Sequence, residues 1–395
     1  MGAALILSPE IRLLLLSAGP RENDAAIGSL LEEDLDWGLL FHLAVREHAV
    51  PILWERLRRI DAEAVPTGVA QRLQQFTHVS HFRQLHLEHR LRETLEVLHR
   101  DGVDVLLLKG AGLALTAYGS FAERPMLDLD LLVRPEDADR ALELVSRVRW
   151  KGPENEAPSS FYAQHHHLAP LEDGDGTEFS LELHTDLFPR GHVFGLTPNL
   201  LWRDAVTVPL AGAWVASPIH QLLHLSLHFA WSHFMSSSGW KTFRDIGTLL
   251  RTSAIDWDSF AEEAERGHAS TACFWTFRLA SELCGVRIPD AVLAGLRPRG
   301  GSLLLSRLER HFAGSVLGFG VVCPSMRLQR WMWTLGMQPE RSGHGPVRPW
   351  DGSRRYVAEY GSRDPQGSWT LRDHARAWRG WSRYLSALAR PRGAR

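Results

Sequence analysis

The stretch Val103–Val133, VDVLLLKGAGLALTAYGSFAERPMLDLDLLV, decides the fold. It reads as a buried strand (VDVLLLK), a short helix from Ala111 to Tyr118, an arginine-bearing loop and a second strand (LDLDLLV). On that second strand Asp128 and Asp130 lie two residues apart, and side chains on a strand alternate faces, so both carboxylates point the same way. Paired carboxylates on a rigid strand suit a hard cation, and Mg²⁺ usually completes its shell with water and substrate phosphates. Lys109 and Gly110 end the first strand, where a backbone lacking a Cβ can approach a phosphate closely.

Outward from this stretch the period stays mixed. Pro135 opens a helix whose first turn carries Glu136, Asp137 and Asp139, a favourable place for acids. The helix runs to about Arg149, and KGPENEAPSS follows as a loop. His167 to Leu171 reads as a strand, DGDG as a turn, and TEFSLELHTDL, Thr177 to Leu187, as a clearly alternating strand. Phe179, Leu181 and Leu183 take one face of it, and Ser180, Glu182 and His184 take the other. Glu182 thus supplies a third acid from a second strand. Residues 101–190 read as a small sheet domain in the order β-α-β-α-β-β.

The flanks are helical. In residues 1–100, Leu13 to Leu16 form a core-facing cluster, and Pro51 breaks or restarts the helical run Leu35–Ile60. Val69 to Arg100 reads as one long helix, with a stripe of Leu73, Phe76, Val79, Phe82, Leu85 and Leu87. In residues 191–300, Ser217 caps and Pro218 opens a helix carrying His220, His224 and His228. Helices over Lys241–Leu250, Asp256–Gly267 and Ser270–Cys284 follow. Residues 301–395 read as a helical extension with a long loop at 338–367 and a final amphipathic helix, Trp369–Leu388. The expected class is α+β, with a small mixed sheet flanked by N-terminal and C-terminal helical regions.

Composition narrows the function classes. A chain of 395 residues is too long for one ordinary core, and 44% hydrophobic with 23% charged residues fits a globular protein. The formal net charge of −2 gives no global reason to expect nucleic acid as the main partner. The arginine-rich tail Arg372–Arg395 reads as a solvated terminal helix. Cys273, Cys284 and Cys323 lie far apart without a CxxC pair, which fits buried free thiols in a reducing cytoplasm. Pro9, Glu10 and Arg12 interrupt the apolar N-terminus, so a helix capped at Ser8 is expected there and not a signal peptide. No apolar run reaches the ~18 residues of a membrane span. GxSxG and GxxxxGK[ST] are absent, and Lys109-Gly110-Ala111-Gly112 matches no dinucleotide fingerprint. Nothing in the sequence speaks to oligomeric state.

LLLKGAGLAL, AYGSFAERPMLDLDLLV and LELHTDL, in that order, resemble the uncharacterised bacterial nucleotidyltransferase family of the polymerase-β superfamily. The helical lead-in LDWGLLFHLAVREHAVPILWERL and the later LLHLSLHFAWSH and FRDIGTLL are similar to that family too, so the resemblance covers about residues 35–255. It implies a metal-dependent enzyme that moves NMP from an NTP such as ATP to a hydroxyl or phosphate acceptor on a small molecule, peptide or protein. Asp128 and Asp130 would bind two Mg²⁺ (or Mn²⁺) ions, with Glu182 as third carboxylate or general base. Gly110 would sit in the phosphate turn, and Lys109 and Arg124 would contact phosphate oxygens. The chain departs from the superfamily at Ala111, where a serine usually follows the glycine, and in a longer spacing from Gly110 to Asp128. Two other readings stand beside the first: a decayed nucleotide-binding or interaction module, and an RNA- or tRNA-modifying transferase gripping its acceptor with the basic tail.

The remaining candidates line the expected cleft. His220, His224 and His228 recur every four residues on one helix face, read as cleft lining in preference to a zinc site. His184 shares a face with Glu182. Asp245, next to Arg244, reads as an internal ion pair, a helix cap or a substrate contact. His165, His166 and His167 read as a solvated loop.

Overall fold

A computed structural model describes residues 7–152, 162, 165–190, 192–317, 323, 325–337 and 371–389. The expected loop at 338–367 lies outside them, as does most of the KGPENEAPSS loop. The chain begins with helices α1 (Pro9–Ala18), α2 (Asp24–Leu31), α3 (Trp37–Arg46), α4 (Val50–Asp61) and α5 (Thr67–Arg100). Asp36 caps α3 by accepting from the Leu39 amide, and Pro51 sits in the first turn of α4, where its missing N–H costs nothing. Strand β1 (Leu106–Leu107), helix α6 (Lys109–Leu113), strand β2 (Asp128–Leu132), helix α7 (Ala138–Arg147) and strands β3 (Trp150–Lys151), β4 (Leu171–Asp173) and β5 (Ser180–His184) follow. Helix α8 (Pro198–Arg203) and strands β6 (Val206–Thr207) and β7 (Trp214–Val215) come next. The rest is α9 (Pro218–Leu227), α10 (Gly239–Thr252), α11 (Trp257–Arg266), α12 (Ser270–Cys284), α13 (Asp290–Gly295), α14 (Ser302–Ser315), α15 (Met326–Gly336) and α16 (Leu371–Ala389).

One mixed sheet organises these elements, in the order β3-β4-β5-β2-β1-β7-β6. The pairs β2–β5 and β1–β7 are parallel and the others antiparallel. The fold is α+β with helical flanks, as the sequence leads one to expect. Strands β3, β6 and β7 were not anticipated, because two-residue strands are too short to show an alternation. The alternating strand is also shorter than its pattern, Ser180–His184 instead of Thr177–Leu187.

The sheet separates two apolar clusters. Leu129, Leu131, Leu181 and Leu183 point to one side, against Leu87, Leu91, Leu95 and Leu98 of α5 and Ala141, Leu144 and Val145 of α7. Leu106, Leu108 and Leu132 join the other cluster, which holds the N-terminal helices and α9 to α15. Cys273, Cys284 and Cys323 are buried free thiols.

The long helix α5 buries only part of the stripe its apolar residues suggested, including Leu73 and Leu87. Val79, Phe82 and Leu85 are exposed, while Gln84 and Arg90 are buried. The reason is polar satisfaction. The Gln84 amide donates to the Met126 carbonyl (2.9 Å) and accepts from the Met126 N–H (3.1 Å), which pins the loop entering β2. Arg90 pairs with Asp173 on β4 and donates to the Val148 carbonyl. Among the described residues no helix is long and apolar enough to cross a membrane.

Candidate active site

The parallel register of β2 and β5 sets Asp130 opposite Glu182 and Leu132 opposite His184. Alternation sends Asp128, Asp130, Glu182 and His184 away from the apolar cluster shared with α5 and α7. Asp128, Asp130 and Glu182 meet at a cavity of about 420 Å³ whose walls also include Lys109, Gly110, Arg124 and Asp245, while His184 is buried beside them and does not line it. Asp128 is exposed to it, Glu182 half-buried and Asp130 buried.

Lys109 reaches this face through a local irregularity. Its φ of +44° lies in the left-handed region, which a side chain with a Cβ rarely adopts. Strain of this kind, of order 1–3 kcal/mol, collects at functional sites. Strand β1 ends at Leu107, two residues before the lysine, and the Lys109 ammonium folds back to donate to Asp130 Oδ1 at 2.8 Å. Close packing follows. A Cβ on Gly110 would sit 2.9 Å from the Met126 sulfur, and one on Gly112 2.8 Å from the Leu107 carbonyl oxygen. Ala111, the position of the superfamily's serine, is buried in the apolar cluster shared with α5 and α7 and does not line the cavity.

His184 Nε2 also donates to Asp130 Oδ1 at 2.8 Å and lies 3.3 Å from Glu182 Oε2. These contacts set the charge states. Burial alone would raise the Asp130 carboxyl, but the Lys109 charge and the His184 hydrogen bond hold it well below the usual range. Burial likewise opposes charge on Glu182, and the His184 hydrogen bond brings it down on balance. Burial would lower Lys109 and His184, yet the facing carboxylates raise both.

Arg124 and Asp245 meet as well, but with each other. Arg124 donates from Nε to Asp245 Oδ1 (2.7 Å) and from Nη2 to Oδ2 (2.9 Å), a forked pair. Its Nη1 donates to the Pro125 carbonyl, and the Tyr118 hydroxyl donates to Asp245 Oδ1 at 2.7 Å. Burial opposes charge on Arg124, and Asp245 more than restores it. Asp245 is thus an internal ion-pair partner of the arginine in this structure. Of the histidines at four-residue spacing only His228 lines the cavity. His220 and His224 are buried, the latter edge-on to Phe188, and the three do not converge as metal ligands among the described residues. Burial drives His224 down to about 3 and His228 well below its ordinary value, so both are neutral.

Sequence reasoning missed several wall residues. Lys241 lines the cavity one helical turn before Asp245, so the four-residue spacing on α10 was a usable signal. His233 arrives from the loop after the π-helical turn His228–Ser232, which no periodicity marks. His165, His166 and His167 are half-buried cavity residues, not a solvated loop.

The donor set fits a hard divalent cation. Asp130, Glu182 and His184 offer ligand atoms within 4.8 Å of one another, and Asp128 opens to the same cavity. Three carboxylates give the oxygen-rich environment that Mg²⁺ or Mn²⁺ prefers. Residues 33–285 match the sequence model of a family described as uncharacterised nucleotidyltransferase. No curated protein and no solved structure matches the chain.

Proposed function

The chain belongs to that uncharacterised nucleotidyltransferase family, and on this premise we propose that it moves NMP from an NTP to a hydroxyl or phosphate acceptor on a small molecule, peptide or protein. The observation that carries this reading is the register of β2 and β5, which sets Asp130 against Glu182 with Asp128 and Lys109 at one cavity. An acceptor oxygen attacks the α-phosphorus, the bond to the β-phosphate oxygen breaks, and pyrophosphate leaves. Negative charge gathers on the equatorial oxygens, and cationic groups fixed in place stabilise it. A divalent ion held by Asp128, Asp130 and Glu182 would supply charge neutralisation at the phosphates.

The protein's own groups divide the remaining work. Lys109 and Lys241 present ammonium groups to the cavity for phosphate oxygens. Glu182, kept ionised and half-buried, accepts the acceptor's proton. His184 holds Asp130 and Glu182 in mutual register through hydrogen bonds to both. Arg124 braces the wall through its forked pair with Asp245 and borders the same cavity. Intact acids and lysines around one cavity support a catalytic site over a decayed copy.

The test uses purified full-length protein, Mg²⁺, cell extract and each of the four NTPs labelled at the α-phosphate. Wild type is expected to transfer label, and Asp130→Asn to lose at least about 10³-fold in rate, some 4 kcal/mol of transition-state stabilisation. Undiminished labelling by Asp130→Asn overturns the assignment.

A further inference from the structure

We propose that His165, His166 and His167 form a second metal site, one for a divalent transition ion such as Zn²⁺, beside the carboxylates and chemically distinct from them. Each imidazole offers one ring nitrogen, and these atoms lie within 4.8 Å of one another. Three consecutive residues on a regular strand would alternate faces. Here the chain bends at 165 and 166, and all three side chains line the catalytic cavity.

The bend is held by the C-terminal end of β5 and the residues just after it. The His166 carbonyl accepts from the Thr185 and Asp186 amides at 2.9 and 3.0 Å, and the Leu168 N–H donates to the Leu183 carbonyl at 2.8 Å. The rings pack closely, His166 on His167 at 4.7 Å and His165 on His167 at 5.3 Å between centroids. Imidazoles already packed together this way lose little freedom on taking an ion.

The chemistry separates this cluster from the acids. Burial lowers all three imidazoles, His165 to about 4, so they stand in the neutral form that binds metals. His167 Nδ1 lies 2.7 Å from the Leu168 carbonyl oxygen and donates to it, which leaves Nε2 as the ligand atom. That arrangement, one ring nitrogen donating to a carbonyl and the other free, is how metal-binding histidines are commonly oriented. His166 Nδ1 is buried without a hydrogen-bond partner among the described residues. Neutral imidazoles favour Zn²⁺, Co²⁺ or Ni²⁺, whereas carboxylates favour Mg²⁺ or Mn²⁺. His184 belongs with the acids, its Nε2 held by Asp130 and Glu182. Three protein ligands leave a position open toward the cavity, where water or a substrate oxygen binds. The inference does not depend on nucleotide transfer.

The test titrates full-length protein with Co²⁺, an optical stand-in for Zn²⁺, in excess Mg²⁺. Visible absorption should show a single saturating site that persists in the Asp130→Asn/Glu182→Gln double variant. His166→Ala/His167→Ala should weaken it by more than the roughly 100-fold that outer-sphere changes cost. Circular dichroism checks the fold of each variant. If the double histidine variant unfolds, His165→Ala carries the same test. Absent Co²⁺ binding in wild type, binding undiminished in the histidine variants, or binding lost with the carboxylates alone overturns the proposal.

Discussion

The Lys109–Asp130–His184–Glu182 cluster and the Tyr118–Asp245–Arg124 cluster share the wall of one cavity, and both join acids to cations at about 2.8 Å. They differ in what is left over. Asp245 is 1% exposed and gives both oxygens to a guanidinium fork and a tyrosine hydroxyl. In the other cluster a single oxygen of Asp130 takes both hydrogen bonds, Glu182 is half-buried and Asp128 is exposed. A saturated, buried pair is a brace, and removing one partner strands the other charge. A partly satisfied cluster open to a cavity can rearrange around a ligand. Similar residue types thus close on one another in one place and stay open to a ligand in the other.

The largest stability effect should separate the two. Asp245→Ala leaves Arg124 buried without its partner and is expected to cost about 3–5 kcal/mol in denaturant unfolding. Asp130→Asn should cost clearly less, because Lys109 borders the cavity and can find water. Equal losses from both would erase the contrast.

A smaller effect is one of pH. The His184 pKa is raised in the folded state, so its contribution is full below the unfolded value of about 6.5. It is lost as pH rises through the raised folded value. Asp130 and Glu182 work in the opposite sense: their depressed pKa values make a contribution that is present above about 4 and lost as pH falls further. The melting-temperature gap between wild type and His184→Gln should therefore be widest near pH 6 and narrow as pH rises. A gap independent of pH would mean that His184 acts by packing alone. Smallest is Tyr118→Phe, which removes one hydrogen bond to Asp245 while Arg124 still holds both oxygens. About 1 kcal/mol is expected in the same unfolding measurement, and a loss as large as that of Asp245→Ala would show that the tyrosine carries the brace.

Much of the acid wall was legible in the sequence because a strand's period of two is strict. Asp128 and Asp130 declare a common face by spacing alone, as do Glu182 and His184, while the β2–β5 register that brings the two sets together is a matter of tertiary pairing. The partner of Arg124 was not legible, because Asp245 lies 121 residues away on α10 and only tertiary packing brings it near. Asp245 itself was singled out, and the internal ion pair weighed for it is what forms, though with Arg124 and not with its neighbour Arg244. The buried stripe of α5 was misread in part because it includes Gln84 and Arg90, whose polar atoms are satisfied by loop and strand partners that hydrophobicity does not reveal. His165–His167 were misread for a related reason: a run of polar residues before a strand looks solvated until the fold closes over it. The two-residue strands lack enough residues to show any period.

The central claim is that the acids of β2 and β5 hold a metal–nucleotide complex. Calorimetric titration of the full chain with each NTP, with and without Mg²⁺, tests it most directly. The account predicts Mg²⁺-dependent binding of at least one NTP that is lost in Asp128→Ala and retained in Tyr118→Phe. NTP binding that ignores both Mg²⁺ and the Asp128→Ala change would contradict it.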